Sequence, residues 1–276
     1  MQLKFTKMHA LGNDFILLDF YEQSTEITSS QIRELASRNT GVGCDQVLLI
    51  EKPQNPSADF RYRIFNADGN EVEQCGNGAR CFAKYVLDHE YINKKNMVLE
   101  AKAGLMCAEL NNDDSISVNM GYPCFKPDLI PFVVEEERSS YSVDILGTPV
   151  ELAVLSMGNP HAVIIVDNIN TAPVEKFGSA LQQHPLFPNQ VNLSFMQLLS
   201  SSQIQLRVYE RGVGETYACG SGACAAVVVG NTQGKLENEV TVTQKGGDLM
   251  VIWERGSNPV FLKGSATYVY EGEIQI

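Results

Sequence analysis

The chain lacks the features by which a sequence reveals a membrane or secreted protein. None of its apolar runs reaches the roughly 18 residues that a membrane-spanning helix requires. Its first residues contain neither the long apolar core nor the small-residue cleavage site of a signal peptide. We therefore expect a cytoplasmic protein without a membrane partner.

Positive charge is scarce and scattered. The 21 lysines and arginines are outnumbered by 33 acidic residues, which gives a net charge of −12, and only Lys94 and Lys95 are adjacent. Nucleic-acid binding depends on clustered positive charge that displaces counterions. The composition therefore argues against a nucleic-acid partner.

The cysteines fit neither a disulfide framework nor a metal site. Seven is an odd number, and no secretion signal accompanies them. Zinc sites use tighter spacings such as C-x2-C, whereas the pairs here follow C-x5-C and C-x4-C, and the chain has only four histidines. We expect no metal and reduced thiols. Structural packing roles are expected for five of them: Cys44, Cys81, Cys107, Cys124 and Cys224.

The remaining two cysteines lie in a repeated motif. Cys-Gly-Asn-Gly-Ala-Arg-Cys at residues 75–81 resembles Cys-Gly-Ser-Gly-Ala-Cys at residues 219–224, an offset of 144. Three further matches are collinear with it at similar offsets: Gly12-Asn13 with Gly158-Asn159, Gln46 with Asn192, and Asn66 with Glu210. Four collinear matches indicate an internal duplication.

Short strand-like runs separated by turn residues predict an α+β fold with mostly antiparallel sheets. A helix pattern begins after each Cys-Gly-x-Gly motif, and residues 223–229 are apolar on all sides, which requires a buried helix. We expect each such helix to be enclosed by the sheet of its own half. The halves should divide near Gly121, and the final run, residues 261–270, should return to complete the first sheet.

A cysteine at a helix N-terminus is suited to chemistry. The helix start presents unpaired N–H groups and positive potential, which favour a thiolate and bind a carboxylate. If the halves face each other across a cleft, Cys75 and Cys219 would flank one bound carbon. Such a pair could remove a proton from one face of a stereocentre and return one to the other.

Two long segments, residues 66–81 and 210–224, resemble the signature segments of the diaminopimelate epimerase family. Residues 7–15 and 158–163 are similar to its other landmarks, and the resemblance extends from about residue 3 to residue 272. Ser221 stands where many members carry threonine, and both residues supply a backbone N–H and a hydroxyl.

The resemblance implies a cofactor-independent enzyme that interconverts LL- and meso-diaminopimelate for lysine and peptidoglycan precursor synthesis. It also implies two pseudo-symmetric domains, each a barrel-like, mostly antiparallel sheet around a central buried helix, and a homodimer. The expected domains are residues 1–120 with about 262–276, and residues 121–261.

The same resemblance assigns residues by motif. Cys75 and Cys219 would be the acid–base pair, with pKa values tuned by His161 and Glu210. Backbone amides would hold the reacting carboxylate at Gly76, Asn77, Gly220 and Ser221. The rest of the substrate would contact Asn13, Gln46, Asn66, Asn159, Asn192, Glu210 and Arg211.

Two alternatives stay open on the residues alone. Another two-thiol racemase, for instance one acting on proline, would share this architecture, although Arg211 and the long second motif favour an extended substrate with a distal carboxylate. A redox-switching dithiol in a binding or sensor protein is the second alternative. Isotope exchange at the α-carbon of diaminopimelate in deuterated water distinguishes both from a diaminopimelate epimerase.

Overall fold

The computed structural model describes residues 2–21, 26–73 and 75–276, so Gln74 of the first signature segment lies outside the described residues. The chain divides into two compact units, Met1–Asn119 with Lys263–Ile276, and Met120–Leu262. No helix in the described part of the chain is long and apolar enough to span a membrane.

The first unit contains nine strands and two α-helices among its described residues. Its strands are β1 (Gln2–Ala10), β2 (Asn13–Asp19), β3 (Gln46–Glu51), β4 (Phe60–Asn66), β5 (Glu71–Val72), β6 (Asn96–Ala101), β7 (Gly104–Leu110), β8 (Ile116–Asn119) and β18 (Thr267–Gln275). Its helices are α1 (Ser29–Ala36) and α2 (Gly76–Asp88).

The second unit contains eight strands and two α-helices. The strands are β9 (Tyr141–Ile145), β10 (Thr148–Ser156), β11 (Pro160–Ile165), β12 (Asn192–Leu198), β13 (Gln203–Glu210), β14 (Gly214–Glu215), β15 (Glu239–Gln244) and β16 (Gly247–Ile252). The helices are α3 (Val174–Leu181) and α4 (Gly220–Thr232), and β17 (Phe261–Gly264) spans the division between the units.

The two units repeat one sheet topology. In the first, neighbouring strands follow the order β18-β1-β2-β3-β4-β6-β7. In the second the order is β9-β10-β11-β12-β13-β15-β16. Both series are antiparallel except at their third and fifth pairings, which are parallel. The α+β prediction is confirmed, and β18 occupies in the first sheet the position that β9 occupies in the second.

A helix crosses over between the strands of each parallel pair, as parallel pairing requires. Helix α1 begins at a capping box, in which Thr28 and Gln31 satisfy each other's backbone N–H groups. Its Ile32 and Leu35 pack on Ile16 and Leu18 of β2. Phe15 of the same strand faces α2 instead, within 3.2 Å of the position that a Cβ on Gly78 would take. Strand β2 is therefore covered on both faces, which explains its uninterrupted apolar run.

The motif helices are enclosed by their own sheets. Helix α2 contacts six strands of its unit, β1, β2, β3, β4, β7 and β8. Helix α4 contacts five strands of its own unit, β10, β11, β12, β13 and β16. Eleven of the thirteen residues of α4 are buried, which confirms the prediction of a helix buried on all sides. The N-terminus of each helix carries one repeated cysteine.

Candidate active site

Cys75 is the N-cap residue of α2. Its backbone is extended, with φ −147° and ψ 118°, and the next two residues, Gly76 and Asn77, are buried. The Tyr62 hydroxyl donates a hydrogen bond to the Cys75 carbonyl at 3.1 Å and so anchors the backbone of the cysteine. A helix start of this kind favours a bound anion such as a carboxylate.

Three polar side chains lie at one end of neighbouring strands in this unit. Gln46 begins β3 and pairs in register with Asn66, the last residue of β4. The Gln46 Nε2 donates to Asn66 Oδ1 at 2.8 Å. Asn13 begins β2, the parallel neighbour of β3. The sheet thus brings together three of the predicted site residues.

Asn13 also contacts the cysteine loop. Its Oδ1 accepts a hydrogen bond from Asn77 Nδ2 at 3.2 Å and lies 3.8 Å from the Cys75 Sγ, which donates to it. Asn13, Asn77 and Cys75 therefore form one hydrogen-bonded cluster.

Behind Asn13 lies a charge cluster that the sequence analysis missed. Asp14 accepts from Lys7 at 2.6 Å and from Arg38 at 2.7 Å, and Arg38 also reaches Asp45 at 2.8 Å. Burial alone would raise the pKa of Asp14, but hydrogen bonds from Arg38 and Lys7 outweigh it and hold the pKa well below its usual range. Lys7 and Asp14 lie in the family landmark at residues 7–15, but nothing in the sequence linked them to Arg38 or Asp45.

Cys219 is the N-cap residue of α4, with φ −119° and ψ 111°. Its Sγ accepts a hydrogen bond from the Gly222 N–H at 3.4 Å and lies 3.7 Å from the Ser221 hydroxyl oxygen. The thiol is buried, with 4% of the residue exposed, whereas Cys75 is half-buried. The two cysteines therefore differ in solvent access.

The structure corrects the predicted pKa for Cys219. A helix N-terminus was expected to lower it, but burial raises the pKa of this thiol well above its usual value, and the Glu210 carboxylate raises it further. The hydrogen bonds from Gly222 and Ser221 act in the opposite direction without reversing this outcome. Cys219 is therefore a thiol at neutral pH in this structure.

His161 connects to Cys219 only indirectly. It is fully buried, and burial together with the nearby Arg211 lowers its pKa to about 3, so the imidazole is neutral at neutral pH. Its Nε2 lies 2.9 Å from Asn159 Oδ1, and Asn159 Nδ2 donates to the Ser221 hydroxyl at 3.4 Å. His161 thus reaches the thiol through two intervening side chains. Its Nδ1 has no hydrogen-bond partner in the part of the chain that the structure describes.

Asn192 organises the remaining predicted residues of this unit. Its Nδ2 donates to the Pro160 carbonyl at 2.9 Å, and its Oδ1 accepts the Arg211 N–H at 2.9 Å. The Arg211 side chain is exposed and donates to the Asn189 carbonyl at 3.4 Å. Glu210, which ends β13, accepts a hydrogen bond from the Thr216 hydroxyl.

A repeated ion pair braces the segment before each cysteine, and the sequence analysis also missed it. Arg63 contacts Glu71 at 2.9 Å, and Arg207 contacts Glu215 at 2.6 Å. Both pairs are bidentate and are related by the same offset of 144 as the cysteines. The sequence did contain a signal for these pairs, because an arginine and a glutamate recur eight residues apart at the same place in both halves.

Comparisons with known proteins agree over the whole chain. A family model described as diaminopimelate epimerase matches residues 5–126 and 153–269. The chain is 50% identical over 276 residues to the diaminopimelate epimerase of Pseudomonas syringae pv. tomato, and the alignment covers 100% of both chains.

Two solved structures share the fold. A phenazine biosynthesis protein of the PhzF family from Bacillus anthracis has a TM-score of 0.71 at 18% identity, with 100% of both chains covered. A hydroxyproline epimerase from Agrobacterium vitis has a TM-score of 0.70 at 15% identity, covering 99% of this chain and 92% of the other. At these identities the likeness extends to the fold alone.

Proposed function

Because this chain belongs to the diaminopimelate epimerase family and is an isomerase, we propose that it interconverts LL- and meso-diaminopimelate without a cofactor. The product would serve lysine and peptidoglycan precursor synthesis in the cytoplasm. The observation that carries the proposal is the duplicated N-cap cysteine: each unit supplies one thiol at the start of a buried helix.

The proposed reaction uses the two thiols as opposed acid and base. One thiolate takes the α-proton from one face of the substrate carbon and becomes a thiol, while the other thiol gives its proton to the opposite face and becomes a thiolate. The C–H bond that breaks is replaced by a new C–H bond of inverted configuration, so no redox step occurs. After turnover, Cys75 and Cys219 have exchanged protonation states.

The carbanion that forms between these steps needs stabilisation, because an α-proton beside a carboxylate is weakly acidic. We place the reacting carboxylate on the helix starts, at the backbone amides of Gly76, Asn77, Gly220 and Ser221. Preorganised N–H groups and helix dipoles aimed at developing charge are often the largest single catalytic contribution.

The distal end of the substrate would be read by polar side chains of both units. In this proposal Arg211 binds the second carboxylate, since an exposed guanidinium can form a bidentate pair with it. The distal amino-acid centre would contact side-chain amides and one carboxylate that lie at strand ends or next to them: Asn13, Gln46, Asn66, Asn159, Asn192 and Glu210. A shorter substrate without a second carboxylate could not form the pair with Arg211, which supports selectivity for diaminopimelate.

His161 and Glu210 would set the protonation of the thiols. Burial and the Glu210 carboxylate both raise the pKa of Cys219, so Glu210 would favour the thiol form of this residue. The neutral His161 would act on the same thiol through Asn159 and Ser221, whose contacts join them.

We also propose a homodimer. The support is the family resemblance, and strand β18 carries two exposed apolar side chains, Val269 at 54% and Tyr270 at 47%, that a second copy could cover. Sedimentation equilibrium at micromolar protein concentration is expected to give twice the mass of 30.4 kDa. A monomer at those concentrations would contradict this part of the proposal.

The function is tested by incubating the protein with LL-diaminopimelate in deuterated water and following the α-position by NMR. Conversion to the meso isomer with deuterium at the inverted centre is expected, and L-proline under the same conditions should not exchange. Cys75→Ala serves as the inactive control. Exchange on proline alone would assign the site to another racemase, and no exchange on either amino acid would remove the epimerase assignment.

A further inference from the structure

The side-chain amide of Asn13 lies between a carboxylate and the Cys75 thiol. Its Nδ2 donates to Asp45 Oδ2 at 3.1 Å, while its Oδ1 accepts from Asn77 and from the Cys75 Sγ. An amide has one donor end and one acceptor end, so the partner on one side decides which end faces the other side.

Asp45 sets the orientation of the Asn13 side-chain amide. An ionised carboxylate only accepts hydrogen bonds, so it pairs with the Nδ2 of Asn13 and turns the Oδ1 toward Cys75. Asp45 itself is well anchored: its Oδ2 accepts the Asp14 N–H at 3.1 Å, its own N–H donates to Asp14 Oδ1 at 2.9 Å, and Arg38 holds its Oδ1.

Arg80 imposes the same direction from the other end. A guanidinium only donates, and Arg80 Nη2 donates to Asn77 Oδ1 at 2.8 Å, which turns the Asn77 Nδ2 toward Asn13 Oδ1. A carboxylate that only accepts and a guanidinium that only donates therefore fix the orientation of both amides. The hydrogen-bonded chain runs from Asp45 through Asn13 and Asn77 to Arg80.

We propose that Asp45 is a positioning residue for Cys75, which acts by fixing the Asn13 amide so that its carbonyl oxygen faces the thiol. This inference rests on the proposed acid–base role of Cys75. It assigns a task to a charge cluster that the substrate contacts proposed above do not involve.

The consequence is that Cys75 prefers its protonated thiol form. An acceptor facing the sulfur forms a hydrogen bond with the thiol and none with the thiolate, so it raises the pKa of the thiol. Several other groups lie around this sulfur and its loop. They are Lys7, Asp14, Arg38 and Asp45 behind Asn13, Arg80 and Cys81 on α2, and Tyr62 on β4.

Charge and orientation can be separated because Asp45 has a near-isosteric neutral replacement. Asp45→Asn removes the charge but can still present an amide oxygen to the Asn13 Nδ2 and the Asp14 N–H. Asp45→Ala removes the acceptor as well, so that only the hydrogen bond from Asn77 still orients the Asn13 amide. A purely electrostatic effect of Asp45 would be the same in both variants.

The readout is the pH dependence of alkylation at Cys75, measured with iodoacetamide between about pH 6 and 10 around the ordinary cysteine pKa. Trypsin cleaves after Arg63 and Arg80, so residues 64–80 form a peptide that contains Cys75 as its single cysteine. The exposed Cys107 reports reagent reactivity in the same sample. No substrate is needed, so failure of the epimerase assay and failure of this inference are distinguishable.

We expect Asp45→Ala to lower the midpoint for Cys75 by about 0.5 to 1 pH unit, and Asp45→Asn to leave it within about 0.2 of the wild type. Circular dichroism and thermal unfolding verify that each variant is folded, and Asp45→Leu, of similar size and without an acceptor, carries the same expectation if Asp45→Ala does not fold. An unchanged midpoint in the acceptor-free variant, or an equal shift in Asp45→Asn, would overturn the inference.

Discussion

The side-chain amide of Gln244 binds both backbone groups of Cys219. The Cys219 N–H donates to Gln244 Oε1 at 2.8 Å, and Gln244 Nε2 donates to the Cys219 carbonyl at 3.4 Å. Gln244 ends β15 and is buried, so a strand of the sheet fixes the residue at which α4 begins. In the first unit the Cys75 carbonyl is held instead by Tyr62.

Replacing this glutamine should therefore impair catalysis beyond its effect on stability. Gln244→Leu leaves the buried Cys219 N–H without its partner, which costs about 1–3 kcal/mol in the free energy of unfolding. Loss of the anchor should also displace the thiol and lower kcat by about 10- to 100-fold. Urea unfolding and steady-state epimerisation measure the two effects.

Gln197→Leu is the matched control. Gln197 accepts the Ile169 N–H at 2.8 Å and lies near the end of β12 opposite to Asn192. It should lose comparable stability while kcat stays within about twofold of wild type, because such a site is remote from the chemistry. Equal kcat losses in the two variants would show that Gln244 has no special role.

Each repeated cysteine should be indispensable by itself. Cys75→Ala and Cys219→Ala each remove one of the two proposed acid–base groups, a loss of about 10²- to 10⁴-fold in the rate of isomer interconversion. Cys107→Ala, at an exposed cysteine outside the repeat, should retain full activity. Chiral chromatography of the diaminopimelate isomers measures the rates, and a folded variant that keeps most of its activity would remove that thiol from the mechanism.

The buried neutral His161 should make stability depend on pH. Its pKa is lowered to about 3 in the folded protein, against about 6.5 in the unfolded chain, so between these values only the unfolded chain binds the extra proton. Stability therefore falls as the pH falls below about 6.5. Between pH 7.5 and 5.0 this histidine should account for a loss of about 2 kcal/mol.

The comparison is between the wild type and His161→Gln. The variant should lose about 2 kcal/mol less than the wild type when urea unfolding at pH 7.5 is compared with pH 5.0. His89→Gln, at an exposed histidine, should retain the wild-type dependence. The same loss in His161→Gln as in the wild type would show that His161 is not the group that titrates.

The sequence predicted the features that depend on local pattern or on repetition. The apolar run after Cys219 required a buried helix, and the glycine motif located both helix starts, as the structure confirms. The duplication also matched Gln46 with Asn192, and the structure places them at the starts of corresponding strands, β3 and β12.

Features that depend on long-range packing were not predictable in this way. Gln244 and Tyr62 hold the cysteine peptides from strands, yet neither lies in a motif or has a repeated partner. Asp45 is a single acidic residue after a helix and resembles an ordinary solvated side chain. The thiol pKa was misjudged because helix position can be read from sequence, whereas the burial of Cys219 and the approach of Glu210 require the fold.

The central claim is that two thiols, one from each unit, act on one carbon. It is tested most directly at low conversion in deuterated water, where product and remaining substrate are separated and each is analysed for α-deuterium. Two opposed acid–base groups predict a product that carries solvent deuterium while the remaining substrate is still unlabelled. A product that retains the substrate's own α-hydrogen would show that a single group removes and returns the proton, and would contradict the account.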